Sequence, residues 1–470
     1  MNGIVKELVA AVCLLMPFTA PAQQAWERAF GGTGNDLGRS VCPAFDGGYV
    51  VGGLTYSFGA GDADAYFVKV DSAGDTAWTR TYGGTRFDNC YHLAATSDSG
   101  CIATGSTKSF GAGQNDVYLL KVNSSGDTAW ARTYGGTNID QGNSVVPLAN
   151  GGYFVAGWTM SYGSGPSDVY VVRTGVSGDT VWTRTYGGPA YDYSHSVCQG
   201  PDGGFFIVGW TNSYGAGSYD VYVVRTDSLG DTVWTRTYGG TSEDYGIFVI
   251  PTEDSGCVIA GLTSSFGAGG YDVYLVRTDA HGDTVWTRTY GSPSADWGYC
   301  VAPCSDSGFI VAAGWSSQSS ARLLKTDANG DTTWTRAYGG SGQEEGLAVI
   351  QAGDDGFMMT GLTTSYGAGG QDVYVVKTGP DGVAVSEGRA QATRCFAADA
   401  TVVRGALFLA QASSRKPQAA SLLDAVGRRV LNLEPGTNDV SHLSPGVYFV
   451  RSADGGERSA VAVRRVILQR

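Results

Sequence analysis

Proline is scarce, at 14 of 470 residues, histidine occurs four times, and charged residues make up only 16% of the chain. Collagen would need abundant proline and glycine at every third position, and neither is found. Long apolar runs are missing as well. Outside the N-terminus no stretch approaches the ~18 uncharged apolar residues of a spanning helix, so a membrane-spanning protein is not expected. Catalytic signatures are equally absent: no H-E-x-x-H, G-x-S-x-G, P-loop or G-x-G-x-x-G cofactor phrase occurs. No C-x-x-C pair or Cys/His cluster suggests zinc. What the chain does have is glycine, 71 residues, together with 26 tyrosines and 42% hydrophobic residues. A disordered glycine-rich chain would lack those aromatics. Glycine at twice its usual ~7% also argues against long helices, since each helical glycine costs ~1 kcal/mol. A large, turn-rich β protein remains, with length enough for one or two cores.

Residues 1–22 read as a secretory signal peptide. Lys6 supplies the basic start, Leu8 to Phe18 the apolar stretch, and Ala20-Pro21-Ala22 the small-residue cleavage pattern before Gln23. The net charge is −13, yet the segment from Val385 onward is net positive, so the preceding body is more acidic than the total. An acidic body repels phosphate backbones and makes nucleic acid an unsuitable partner. The change of sign near residue 385 marks a domain boundary. Of the nine cysteines, Cys13 leaves with the signal peptide and the others fall in strand-like segments. Cys42 and Cys198 occupy one repeat position and Cys101 and Cys257 another, while Cys300 and Cys304 share a strand. These placements suit small core residues better than a disulfide framework.

Self-similarity dominates the chain. Trp26, Trp78, Trp130, Trp182, Trp234, Trp286 and Trp334 each open a phrase such as WTRTYGG (Trp78 to Gly84). An Asp-Gly-Gly or Asp-Ser-Gly turn follows, then an apolar run ending in Gly, an S-[FY]-G-A-G-x-x-D segment, and a second apolar run such as Asp116 to Asn123. Short runs of β-branched and aromatic residues between Gly/Asp/Ser punctuation are strand-and-hairpin signals. Four antiparallel strands per unit is the composition of one propeller blade. The first copy opens with its Trp strand and the last ends without one. The spacing therefore predicts that residues 25–30 complete the last blade and close a seven-bladed ring.

The phrase WTRTYGGT…D…DGGYFVAGWT resembles the bacterial β-propeller repeat of secreted and surface proteins, over residues 26–382. It is also similar to quinoprotein-type propellers, whose Asp-to-Gly-to-Trp phrase docks a Trp on the neighbouring blade. Val70 to Trp78 is one residue shorter between Asp and Trp than that phrase, and it lies further from the sialidase Asp box. Neither enzymatic family's chemistry is carried over.

Residues 383–400 read as a linker. The segment 401–470 resembles the type A C-terminal sorting domain of the Bacteroidetes type IX secretion system. The matching phrases are D-x-x-G-R-x-V with Gly427 and Arg428, LSPGVYFVR with Pro445, Gly446 and Tyr448, and a basic-apolar last strand. The Pro-Asn-Pro phrase often found at the start of that domain is absent. The resemblance implies a small antiparallel β-sandwich, the type IX machinery as partner, and a secreted or outer-membrane-surface location. A generic small β domain is the alternative. The expected architecture is thus all-β: signal peptide 1–22, seven-bladed propeller 23–382, linker 383–400, and sandwich 401–470.

Candidate sites lie on one rim. An acid recurs between blades (Asp36, Asp88, Asp140, Asp192, Asp244, Asp296, Glu344), and another before each third strand except in repeat 6 (Asp64, Asp116, Asp168, Asp220, Asp272, Asp372). Such a ring could attract Ca²⁺ or a cationic ligand, although no D-x-D-x-D-G run supports calcium. Recurrence in every blade favours turn capping instead. The recurring Arg28, Arg80, Arg132, Arg184, Arg236, Arg288 and Arg336 read as ion-pair or stacking partners between blades. Binding is expected where the repeats differ. Trp158, Trp210 and Trp315 follow the Gly that ends a second strand, Trp297 follows Asp296, and Tyr191, Tyr193 and Tyr245 lie in neighbouring interblade loops. Aromatic rings beside carboxylates suit stacking on sugars or packing against a peptide. Repeat 6 also lacks the S-[FY]-G-A-G-x-x-D segment. His92 and His195, beside Arg39, Tyr91 and Asn143, fall on the expected innermost strands and make a weak case for metal. The reading is a binding or scaffold module without a required cofactor, its ligand an extracellular glycan or protein. The alternatives are a glycan-active hydrolase using rim carboxylates and a structural surface component.

Overall fold

The computed structural model describes residues 25–315 and 319–384 and, within 401–468, the strands given below and Leu443. The signal peptide, nearly all of the linker, Gly427, Arg428 and Pro445 lie outside the described residues.

Seven four-stranded antiparallel sheets form the propeller. Blades 1 to 6 span residues 36–82, 88–134, 140–186, 192–238, 244–290 and 296–338, each running inner, second, third and outer strand in chain order. Blade 7 takes three strands from Glu344–Gln351, Phe357–Thr363 and Asp372–Thr378, and its outer strand is Trp26–Phe30. That strand pairs antiparallel with the third, from Trp26 opposite Lys377 to Phe30 opposite Val373. The ring is closed as the repeat phase predicts. Tyr374 adds a hydroxyl donated to Glu27 at 2.9 Å, and the Gln371 N–H is donated to Asn35 Oδ1 at 3.0 Å.

Burial follows position in the blade. Second and third strands such as Cys101–Thr107 and Asp116–Val122 are buried at every residue, because both faces meet a neighbouring blade. Outer strands such as Thr232–Tyr238 expose most of theirs. The repeating Trp ties one blade to the next. Trp78 Nε1 donates to Ser124 O at 3.2 Å, and the Tyr82 hydroxyl donates to Gly126 O at 2.7 Å. Gly126 has φ +83°, and a Cβ there would sit 3.1 Å from the Trp78 ring, so the turn needs glycine for conformation and for space. The guanidinium of Arg184 lies 5.3 Å from the Trp182 ring and pairs with Asp231 at 2.8 Å, which gives the recurring arginines a stacking role. The seven described cysteines are free and buried.

The chain divides into two compact units, Met1–Ala392 and Thr393–Arg470. In the second, strands Thr401–Val403, Ala462–Leu468, Gly446–Ser452, Ala420–Leu423 and Arg429–Leu433 lie side by side in that order, the first pair parallel. Ala406–Leu409 and Gly436–Asp439 form a two-stranded ribbon. Gly446 and Tyr448 fall on the strand Gly446–Ser452.

Candidate functional site

The recurring acids are not in loops facing solvent. They are the first residues of the inner and third strands, and all are buried. In blade 4, Asp192 accepts from the Gly188 N–H at 2.8 Å, the Ser213 hydroxyl at 2.7 Å and the Thr211 hydroxyl. Its neighbour Asp220 accepts from the Gly217 N–H at 2.9 Å. Acids of adjacent blades meet across one glycine: a Cβ on Gly239 would lie 2.6 Å from Asp220 Oδ1 and 2.4 Å from Asp244 Oδ2. Burial, helped by the Asp244 charge, raises the Asp220 pKa against the backbone N–H bonds that lower it. This is turn capping. Among the described residues no group of three or more His, Cys, Asp or Glu side chains is placed to hold a metal ion.

Blade 6 departs from the pattern by register. In blade 4 the second strand sets Thr211 opposite Asp192 and Trp210 opposite Tyr193. In blade 6, Trp315 lies opposite Asp296 and Gly314 opposite Trp297. Trp315 therefore takes the place of the acid-binding Thr rather than that of Trp158 and Trp210. The Gly-Trp pair hides this shift. Counting from the preceding turn reveals it, because Trp158 is six residues past Gly152 and Trp315 seven past Gly308. The third strand changes with it, placing Ser320 and Arg322 where blade 4 has Asp220 and Tyr222. Among the described residues Asp296 Oδ1 has no hydrogen-bond partner. The side chain of Trp315 lies outside the described residues.

Blades 3 to 5 carry a continuous row of rings. Trp158 lies 4.8 Å from Tyr193, which stacks on Trp210 at 4.3 Å, with Tyr191 stacked 6.5 Å beyond Tyr193. Trp210 meets Tyr219 at 4.9 Å and Tyr245 at 5.8 Å, and Tyr245 leads on to Tyr271 at 6.2 Å. Five of the seven aromatic candidates are thus brought together. Trp297 occupies the Tyr193 position of blade 6 but faces a glycine. Tyr219 and Tyr271 are additions that sequence reasoning missed. Their signal was the residue before the third-strand Asp, which is Tyr only in blades 4 and 5 and Ala, Asn, Ser or Gln where blades 1, 2, 3 and 7 carry that Asp. Glu243 anchors this end of the row, accepting from the Tyr245 hydroxyl at 3.2 Å and from the Tyr271 hydroxyl. Desolvation, with the Glu243 charge behind it, raises the pKa of Tyr245.

The inner strands of the seven blades line a central channel. Each inner strand carries a β-bulge at one position, which leaves an extra, unpaired residue and re-aims its side chain. The seven bulged residues are Arg39, Tyr91, Asn143, His195, Ile247, Tyr299 and Leu347, and all of them line a cavity of about 350 Å³. Blades 1 to 4 give it a polar side. The Arg39 guanidinium sits 5.0 Å from the Tyr91 ring, the Tyr91 hydroxyl donates to Gln141 at 3.3 Å, and Gln141 donates to Asn143 at 2.7 Å. His195 Nε2 accepts from Trp210 Nε1 at 3.2 Å and links channel to aromatic row. His92 Nδ1 accepts from the Val145 N–H at 3.3 Å. Burial pushes both imidazoles down to about 4, so they are neutral at pH 7.

The fold and these two features define a seven-bladed propeller with an aromatic half-rim and an amphipathic channel. No known protein-family profile matches the chain. A stretch of 157 residues is 28% identical to the regulatory protein FlaEY of Caulobacter vibrioides, covering 28% of this chain and 16% of that protein, so the chain spans about a sixth of that relative's length. Solved structures similar to it include the Kuenenia stuttgartiensis hydrazine synthase, 12% identical over 68% of this chain and 92% of the other, with a TM-score of 0.47. Another is the extracellular domain of a protein described as a hybrid two-component system from B. thetaiotaomicron, 11% identical over 95% of this chain and 60% of the other, with a TM-score of 0.44.

Proposed function

We propose that the chain is an exported binding module whose propeller lays an extended glycan along the rings of blades 3 to 5. The observation that carries this reading is the continuous row from Trp158 through Tyr193 and Trp210 to Tyr245 and Tyr271. A row of half-buried rings offers an apolar strip with polar edges, which suits the apolar faces of successive sugar rings. Export rests on the signal-peptide pattern of residues 1–22. The type IX route, the sandwich form of residues 401–470 and an outer-membrane-surface location rest on the sorting-domain phrases, including Gly446 and Tyr448. Hydrolysis would need a carboxylate pair within reach of the ligand, whereas the rim acids are buried and committed to turns. We therefore favour binding over turnover.

A glycan array followed by calorimetry on the strongest hit tests the reading. Trp158→Ala and Tyr191→Ala, near the open end of the row, should each weaken binding roughly 2- to 10-fold, the range of an aromatic contact of 0.5–1.5 kcal/mol. A wild-type protein that binds no glycan on the array, or variants that bind as well as wild type, would end the proposal. Release of reducing ends from a polysaccharide panel would replace it with the hydrolase.

A further inference from the structure

We propose that the central channel is a second, separate binding site, for a small organic carboxylate with an apolar body. Arg39 carries the argument. The cations that project from third strands toward a turn all have a partner there: Lys69 with Asp46, Lys121 with Asp98, Arg225 with Asp202, Arg277 with Asp254, Lys325 with Asp306 and Lys377 with Asp354, while Arg173 of blade 3 donates to Asn150. Arg39 is different. It projects from a bulge into the channel, rests on the Tyr91 ring, and among the described residues makes no salt bridge, while its Nε is buried without a hydrogen-bond partner. A cation with an unspent, buried N–H inside an acidic protein calls for an anion.

The rest of the lining narrows the class. Both imidazoles are neutral, and each accepts on one ring nitrogen, so each keeps its proton on the other: His92 on Nε2 and His195 on Nδ1. Arg39, His92 and His195 thus each bring a donor N–H to the lining of the same cavity, and Arg offers the planar fork that matches a carboxylate. Across the channel Ile247, Phe248 and Leu347 supply an apolar wall. A volume of about 350 Å³ falls at the small end of ligand pockets and admits an aromatic or branched acid rather than a polymer. This site stands whether or not the aromatic row binds glycan.

Calorimetric titration of the full chain with phenylacetate, cyclohexanecarboxylate and the uncharged phenylacetamide tests it. The carboxylates should bind, and the amide should bind at least tenfold more weakly, a comparison that needs no variant. Arg39→Met, which keeps the contact with Tyr91 and removes the charge, should cost the carboxylates at least tenfold with an unchanged melting temperature, and raised salt should weaken wild-type binding. Equal binding of acid and amide, no carboxylate binding at millimolar concentration, or a folded Arg39→Met that binds like wild type would each overturn the proposal. Glycan binding is read on Trp158→Ala and carboxylate binding on Arg39→Met, so the two readings fail separately.

Discussion

Blades 4 and 6 share a backbone plan and differ in how their rims are held. In blade 4, Asp192 gathers two hydroxyls and a backbone N–H, and the second strand above it presents Trp210 to the aromatic row. In blade 6 the second strand is read one residue out of step with this, so Trp315 stands opposite Asp296 and the residues corresponding to Asp220 and Tyr222 are Ser320 and Arg322. The difference shows that the Asp-Thr-Ser set builds the rim and that the aromatic row sits on top of it. Trp158 and Trp210 keep the same register against the inner strand in blades 3 and 4, where the set is complete. Blade 7 makes a smaller departure: Glu344 replaces Asp, and its longer side chain still takes the Thr363 hydroxyl at 2.9 Å and the Gly340 N–H at 3.1 Å.

The largest effect is expected in blade 7, which is assembled from the first and last strands of the propeller. Deleting residues 26–30 strips blade 7 of its outer strand and leaves an open edge. We expect it to cost ~5 kcal/mol or more, because apolar burial and the closing ladder are lost together. An unchanged urea midpoint would break the closure argument.

Next comes a direct contrast. Asp192→Asn should destabilise by ~3 kcal/mol, since three donors lose a charged acceptor. Asp296→Asn should cost no more than about half of that, because one oxygen of Asp296 has no donor among the described residues. Equal losses in urea unfolding would erase the distinction between the two blades.

Titration separates blades 2 and 4 from the others. The histidines His92 and His195 have pKa values depressed by burial to about 4 from an ordinary 6.5. The unfolded chain therefore binds more protons than the folded one between those values, and stability is lost as pH falls through that window. Each should remove ~1–2 kcal/mol, less than full burial would imply because both rings border the channel. The buried acids Asp64, Asp116, Asp168, Asp220 and Asp372 act in the opposite sense. Burial raises their pKa values, with a neighbouring Asp adding to it, so the folded state holds their protons more tightly and gains stability as pH falls toward 4. Between pH 6.5 and 4 the wild-type melting temperature should therefore fall relative to that of a His92→Gln/His195→Gln variant, which keeps the acids and lacks the imidazoles. A double variant that falls like wild type would show that the imidazoles are not the cause.

The smallest effect sharpens the register argument. Trp315→Thr restores the residue that caps the acid in blade 4 and should gain ~1 kcal/mol if its hydroxyl reaches Asp296 Oδ1. No gain in urea unfolding would mean that Asp296 is satisfied some other way.

The blades follow from the order of residues alone. Strand pairing is repetitive and local, so a Trp phrase, a turn and two apolar runs at fixed spacing dictate the same four strands each time, and a missing Trp strand at one end dictates which end supplies it. Trp158, Tyr193, Trp210 and Tyr245 were legible as departures from that period. Trp315 departs from that reading because a one-residue change of register sets it opposite Asp296 while leaving the Gly-Trp pair intact. Burial of the rim acids, the joining of Tyr219 and Tyr271 to the aromatic row, and the placing of Arg39, His92 and His195 on one cavity appear only once the ring is folded. The physical reason is that these residues come from different blades, up to 156 positions apart between Arg39 and His195, and meet through ring closure and through bulges that turn one side chain per blade toward the axis.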